Sequence, residues 1–197
     1  MKISALSLPG ALRVVPRRHA DPRGLFLEWY RPDLLAQALG HRPPDMVQGN
    51  LSVSSRGVVR GIHFAQVPYG QAKYVTCVSG AVLDVLVDLR VGSPDFGRWE
   101  AVRLDDAERA AVYVPEGFGH GFCALSETAT VGYLVSRTYE PEREHSVHAQ
   151  DPRLGIDWPV GTPLLSPRDA AAPPLSELAE RGLLPMYEDC LELAGRR

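Results

Sequence analysis

The sequence predicts an all-β chain, an antiparallel barrel or sandwich with short helices at its C-terminal end. Three observations carry that prediction. Between residues 46 and 139 short strand-like runs alternate with turns at regular intervals, the pattern of a sandwich or barrel. Glycines and prolines are scattered as punctuation, with no linker and no useful repeat, which argues for a single domain over residues 1–197. Beyond Asp151 the chain turns to proline-punctuated coil and then to helical spacing.

Taken in order, Pro32-Asp33-Leu34-Leu35-Ala36-Gln37-Ala38-Leu39 reads as a helix with proline in its first turn and Gly40 past its end. Residues 73–78, a turn at Ser79-Gly80 and residues 81–90 read as a hairpin rich in β-branched side chains. Along its second arm a two-residue repeat places Asp84, Leu86, Asp88 and Arg90 on one face and Leu83, Val85, Val87 and Leu89 on the other. The pattern alone makes the aspartate face a solvated one. Leu86 between the two carboxylates hints at partial burial, which would require a partner, and Arg60 is the candidate in kind. Residues 111–114 and 129–138 are further strands. Helices near 175–181, ended by Gly182, and near 188–194 are expected to pack outside a β core of about 12–160, as an appendage over about 170–197.

Composition bounds the function. Hydrophobic content of 45% and charged content of 23% suit an ordinary folded domain. A formal net charge of -3 gives no general affinity for nucleic acid or anionic membrane, so an anion site must be local. Cys77, Cys123 and Cys190 are widely spaced without a CxxC pair, so buried reduced thiols are expected rather than a disulfide framework or zinc ribbon. The apolar N-terminal stretch is interrupted by Pro9, Gly10 and Arg13 before it could serve for export, and no run approaches a membrane span. The expected compartment is the cytoplasm.

The chemistry gathers around two histidines. His63 closes Arg60-Gly61-Ile62-His63, with Lys73 ten positions on, and His120 closes Pro115-Glu116-Gly117-Phe118-Gly119-His120. Such a pair can be metal ligands, acid/base groups or satisfied core residues. Arg60 and Lys73 would repel a divalent cation, which prefers carboxylates, thiolates and neutral imidazoles. The same cations suit a phosphorylated substrate or a developing oxyanion. Cupins, two-histidine barrel proteins, carry HxH followed by Glu and then PxGxxH. Here the second motif is present, but Phe64 and Ala65 follow His63. One histidine per motif leaves too few ligands, so the expectation is a metal-free, cupin-type jelly-roll barrel. His145 and His148 read as exposed residues of a loop, and His19 and His41 as members of polar turns.

Eight ordered segments then carry a specific resemblance. They are Asp21-Pro22-Arg23-Gly24-Leu25-Phe26-Leu27-Glu28, Gln48-Gly49-Asn50-Leu51-Ser52, Val58-Val59-Arg60-Gly61-Ile62-His63, Gly92-Ser93-Pro94-Asp95-Phe96-Gly97 and the stretch 115–122. Tyr139-Glu140-Pro141, the stretch 151–158 and Ser166-Pro167-Arg168-Asp169-Ala170-Ala171-Ala172-Pro173 complete them. Together they resemble the dTDP-4-dehydrorhamnose 3,5-epimerase family over about residues 12–185. The resemblance implies a homodimer whose N-terminal strands cross to the partner, no cofactor, and a dTDP-4-keto-6-deoxyhexose as substrate. It makes His63 the base, oriented by Asp169, and Tyr133 the acid on the opposite face of the sugar. It places Arg60, Lys73 and Asp84 around the 4-keto oxygen and the base. Arg23, Phe26, Glu28, Gln48, Asn50, His120, Glu144 and Arg168 become nucleotide-sugar contacts, and Tyr139 the residue that stacks on thymine.

That assignment is physically coherent. A proton α to a ketone is weakly acidic, and its removal puts negative charge on the ketone oxygen. Imidazole, with a reference pKa of about 6.5, is available as a neutral base near pH 7. A carboxylate behind it fixes the tautomer and supports the imidazolium. A phenol, with a pKa of about 10, can return a proton to the other face. Inversion needs both groups, because a base alone would return the proton to the face it left.

The chain departs from the family pattern in places. Ala65 stands where Gln is usual, with Gln66 displaced by one, Gly49 where Asp or Val is frequent, and Leu25 where many members have Phe. The stretches Arg143-Glu144-His145-Ser146 and 182–185 resemble the branch that makes deoxysugars for secondary metabolites such as antibiotics, some of whose enzymes invert one carbon. The expected reaction is therefore epimerisation at C3, with C5 open. A ketoisomerase on the same sugar nucleotide, a non-catalytic sugar-nucleotide-binding barrel and a metal-dependent oxygenase are the rivals.

Overall fold

Thirteen strands form among the described residues, 1–195 of the computed structural model. In chain order the first are β1 (Lys2–Ala5), β2 (Leu12–Val15), β3 (Arg18–Asp21) and β4 (Gly24–Leu27), followed by helix α1 (Pro32–Leu39). Next come β5 (Gln48–Ser55), β6 (Val59–Ala65), β7 (Lys73–Ser79), β8 (Ala81–Asp88) and β9 (Trp99–Asp105). The last strands are β10 (Ala111–Val114), β11 (Phe118–Ala124), β12 (Thr128–Val135) and β13 (Glu144–Ser146). Three helices end the chain: α2 (Pro167–Ala170), α3 (Leu175–Glu180) and α4 (Tyr187–Gly195).

The strands pair antiparallel in a six-stranded sheet, β1-β2-β10-β7-β12-β5, a five-stranded sheet, β13-β6-β11-β8-β9, and the separate hairpin β3-β4. Val75 and Cys77 of β7, Val112 and Val114 of β10, Val82 and Leu86 of β8, and Phe118 and Phe122 of β11 form the core shared by the two large sheets. On the five-stranded sheet's other face, Val85, Val87 and Leu89 pack against Trp158, Leu175, Leu178 and Leu184. Helix α3 therefore packs on the outer side of that sheet. Helix α1 has the expected bounds and stops at Gly40, whose φ of 78° only glycine adopts freely.

Three expectations need correction. First, β7 and β8 are consecutive but do not pair: β7 lies between β10 and β12, and β8 between β11 and β9. The turn passes the chain from one sheet to the other, and a Cβ at Gly80 would meet the Thr128 carbonyl oxygen at 2.3 Å. Alternation sets which face a residue takes, not which strand becomes its neighbour. Second, the aspartate face of β8 is not solvated: Asp84 and Asp88 are fully buried. Asp88 accepts two hydrogen bonds from the Arg90 guanidinium, at 2.9 and 2.7 Å, and one from the Ser93 hydroxyl at 2.6 Å. Third, the β structure begins at Lys2, ahead of the expected start near residue 12, because β1 pairs with β2 in full register.

Candidate active site

β6 and β11 bring the two histidines together: His63 and His120 stand directly opposite each other in the antiparallel register. The strands approach so closely here that a Cβ on Gly61 would sit 2.6 Å from Gly121 Cα, and one on Gly121 would sit 2.7 Å from the Arg60 carbonyl oxygen. Glycine is needed at both positions for this register to form.

His63 projects from β6 toward α2, where Asp169 lies in the first turn. Its Nε2 is 2.7 Å from Asp169 Oδ1. The Ser166 hydroxyl caps α2 by accepting the Asp169 backbone N–H at 3.1 Å, and Pro167 opens the helix. Burial pushes the Asp169 carboxyl up, but the bond to His63, its charge, the Ser166 hydroxyl and the Gly61 backbone N–H outweigh that, so the group lies below its ordinary value. An ionised carboxylate only accepts. The His63 hydrogen therefore sits on Nε2 and leaves the lone pair on Nδ1. Burial lowers the imidazole pKa, the Asp169 bond opposes it, and the charges of Lys73 and Arg168 add to the lowering.

A cavity of about 180 Å³ opens beside this pair. His63, Lys73, Tyr133 and Glu144 line it together with Gln48, Asn50, Gln71, Val135 and Tyr139. Seven of the residues singled out from sequence thus share one small space. Lys73 is buried, its Nζ donating to the His63 carbonyl at 3.4 Å, and burial draws its pKa down to about 8 against the pull of Glu144 and Asp84. Burial raises the Tyr133 phenol, as does the Glu144 charge, while Arg60 opposes them. Arg168 donates to the Tyr139 hydroxyl at 3.2 Å and the Glu144 carbonyl at 3.1 Å, closing one rim. On the other, Gln48 accepts from the Tyr139 backbone N–H at 3.2 Å and donates to Asn50 at 2.8 Å.

Other expected residues lie elsewhere. Asp84 takes its hydrogen bond from His120 Nε2, at 2.8 Å, and not from Arg60. Arg60 instead donates to the Ser54 hydroxyl at 3.0 Å and the Val53 carbonyl at 3.4 Å. Arg23 is paired with Asp21 and Glu28 with Arg31, both on the exposed N-terminal segment. Phe26 is 68% exposed and borders a separate apolar groove of about 690 Å³ on the six-stranded sheet. That groove is larger than the His63 cavity but holds none of its titratable groups apart from Tyr133. His145 is not exposed: it lies half-buried in β13 beside Phe64, with Nε2 buried and unpartnered among the described residues, and burial together with Arg181 and Arg168 lowers its pKa. His148 is half-buried too, its Nδ1 accepting the Gln150 backbone N–H at 3.1 Å.

Two residues escaped the sequence reading. Ser166 had a signal: Ser, then Pro, with an acid three positions on, is a helix-start signature. Gln71 had none. It sits in coil before β7, and only the fold shows its amide donating to Glu144 Oε1 at 3.2 Å.

The dTDP-4-dehydrorhamnose 3,5-epimerase family model matches residues 5–177. The chain belongs to that family. A dTDP-4-dehydrorhamnose 3-epimerase of Streptomyces niveus is 60% identical over 190 residues, 96% of this chain and 91% of the relative. A dTDP-4-dehydrorhamnose 3,5-epimerase of Mycobacterium tuberculosis is 52% identical, covering 99% of this chain and 98% of the relative. Among solved structures, NovW, a 4-keto-6-deoxy sugar epimerase from the novobiocin cluster of Streptomyces spheroides, superposes with a TM-score of 0.94 at 60% identity, over 96% of this chain and 95% of that one. Like these relatives, this member is an isomerase of the epimerase class. No described helix is long and apolar enough to cross a membrane.

Proposed function

We propose that this epimerase acts on a dTDP-4-keto-6-deoxyhexose and inverts C3 through an enolate. His63 removes the C3 proton, with Asp169 holding the tautomer and balancing the imidazolium. Lys73, still mostly protonated near pH 7 with a pKa of about 8, stabilises the oxygen anion at C4. Tyr133 delivers a proton to the other face. The observation that carries this reading is the 2.7 Å His63–Asp169 bond at the wall of the cavity that also holds Lys73 and Tyr133.

Arg23, Phe26 and Glu28 enter the reading through a homodimer, in which the N-terminal segment of one protomer serves the site of the other. Exposed Phe26, Leu51 and Val53 on that side give the partner an apolar surface to cover. Gln48, Asn50, Arg60, His120, Glu144 and Arg168 serve the sugar nucleotide, Tyr139 stacks on the base, and Asp84 supports His120. In this reading residues 1–197 act as one domain and the two large sheets as the walls of a jelly-roll barrel.

Incubation with dTDP-4-keto-6-deoxyglucose in D₂O tests it. Deuterium at C3 with inverted stereochemistry is the expected result, and additional label at C5 would mean exchange at both centres. Unlabelled sugar, or a carbonyl moved away from C4, would overturn the reading.

A further inference from the structure

Lys73 is an unusual ammonium. It is buried and feels two carboxylates, Glu144 and Asp84, yet among the described residues it forms no ion pair with either. Opposite charges in a buried cavity attract strongly, so something must hold those carboxylates back. Asp84 is held by His120 at 2.8 Å. Glu144 is held by Gln71, whose amide donates to Oε1 at 3.2 Å and also to the Arg137 carbonyl at 3.3 Å, with the Glu140 backbone N–H adding a longer bond at 3.4 Å. Gln71 is itself buried on the cavity wall, two residues before Lys73.

We propose that Gln71 is a positioning residue: it keeps the Glu144 carboxylate off the Lys73 ammonium, so that Nζ stays available to the substrate's developing oxyanion. The proposal rests on the epimerase reading above. Without the Gln71 donor, Glu144 loses the shorter of these two hydrogen bonds, and Lys73, a strong donor on the same cavity wall, already feels its charge. An ammonium already paired with a carboxylate gives less to a charge that appears only in the transition state. Turnover then suffers more than binding. The pairing also makes the ammonium harder to deprotonate.

The sequence makes a direct test practical, because Lys2 and Lys73 are the chain's only lysines. Lysine side-chain labelling gives two NMR signals, with Lys2 as the internal reference. In the wild-type protein Lys73 is expected to titrate near pH 8. In Gln71→Leu its midpoint should rise by about one unit, equivalent to about tenfold weaker proton dissociation. Turnover should fall by about tenfold with KM little changed. Adding Glu144→Gln should return the midpoint to the wild-type position or below it, which mere structural damage would not do. Should leucine disturb folding, Gln71→Met carries the same expectation. An unmoved Lys73 midpoint, with or without loss of turnover, would overturn the proposal. Absence of deuterium uptake by the wild-type enzyme would remove the epimerase reading instead, and the NMR comparison would show that separately.

Discussion

Two imidazole–carboxylate pairs stand side by side on β6 and β11, His63–Asp169 at 2.7 Å and His120–Asp84 at 2.8 Å. The bond is nearly the same and the setting is not. The His63 side chain is 37% exposed and faces the cavity, whereas the His120 side chain is 9% exposed and Asp84 is sealed. Asp169 has the Ser166 hydroxyl and the Gly61 backbone N–H besides its histidine. Asp84 Oδ1 has no partner at all within the described residues. The first pair can exchange a proton with a bound molecule and tolerate it. The second has little freedom to do so, and its loss falls on the fold.

The sharpest way to break this comparison is to delete each histidine. His63→Ala should lower kcat/KM by about 10²–10⁴-fold, removing a general base, and abolish deuterium uptake at C3. Its unfolding free energy should change by about 1 kcal/mol or less, since Asp169 keeps other donors. An equal loss of affinity for the sugar nucleotide would count against His63 as base. His120→Ala should do the reverse in stability: a sealed carboxyl left with no partner costs about 3 kcal/mol or more, read as a lower midpoint in urea unfolding. If both variants lose the same stability, the distinction between the pairs fails.

A finer test separates the carboxylate from the imidazole it serves. Asp169 raises the His63 pKa while burial and Lys73 lower it. Asp169→Asn should therefore cost about 10²–10⁴-fold in kcat, in line with loss of an orienting carboxylate. Its acid limb in kcat/KM should move to lower pH than the wild type's, which already lies below the ordinary imidazole value. Activity depends on neutral His63, so it is lost as pH falls through that limb. The basic limb, set by Lys73 at about 8, should stay in place, because Asp169 is not among the groups that act on that lysine. A basic limb that moves with Asp169 would merge the two roles.

How much of this was legible in the sequence follows from what each signal encodes. Proline at 32 and glycine at 40 fixed α1 to the residue, since both report local backbone geometry. Alternation along 81–90 correctly separated the Leu86 face from the Val85, Val87 and Leu89 face. It could not say that both faces would be covered, because the cover comes from the other sheet and from residues after 151. Partners were the weakest point. Arg60 was matched to Asp84 by charge type alone, and the fold supplied His120 from the neighbouring strand. Of the residues lining the cavity, the ordered motifs contain Gln48, Asn50, His63 and Tyr139, whereas Lys73, Tyr133 and Glu144 lie outside those segments, and Arg23, Phe26 and Glu28 lie outside the single-chain cavity. Gln71 carries no motif of its own, and its placement is a purely tertiary fact.

The smallest expected effect probes why the open pair is held so well. Ser166 acts on Asp169 twice, by accepting its backbone N–H at 3.1 Å and by favouring its charged side chain. Ser166→Ala removes an N-cap and should cost about 1 kcal/mol of stability. It should also let the Asp169 carboxylate wander from Nε2, because α2 is a single turn of four residues in which the Ser166 hydroxyl is the side-chain cap. A less well-placed carboxylate supports imidazolium less, so the acid limb should shift downward, by less than in Asp169→Asn, and kcat should fall a few-fold. The sealed pair provides the control. Its bond runs between β8 and β11, within one sheet, and no part of it depends on α2. His120 and Asp84 should therefore keep their NMR signals unchanged in Ser166→Ala, and movement of those signals would mean that the two pairs are one coupled unit.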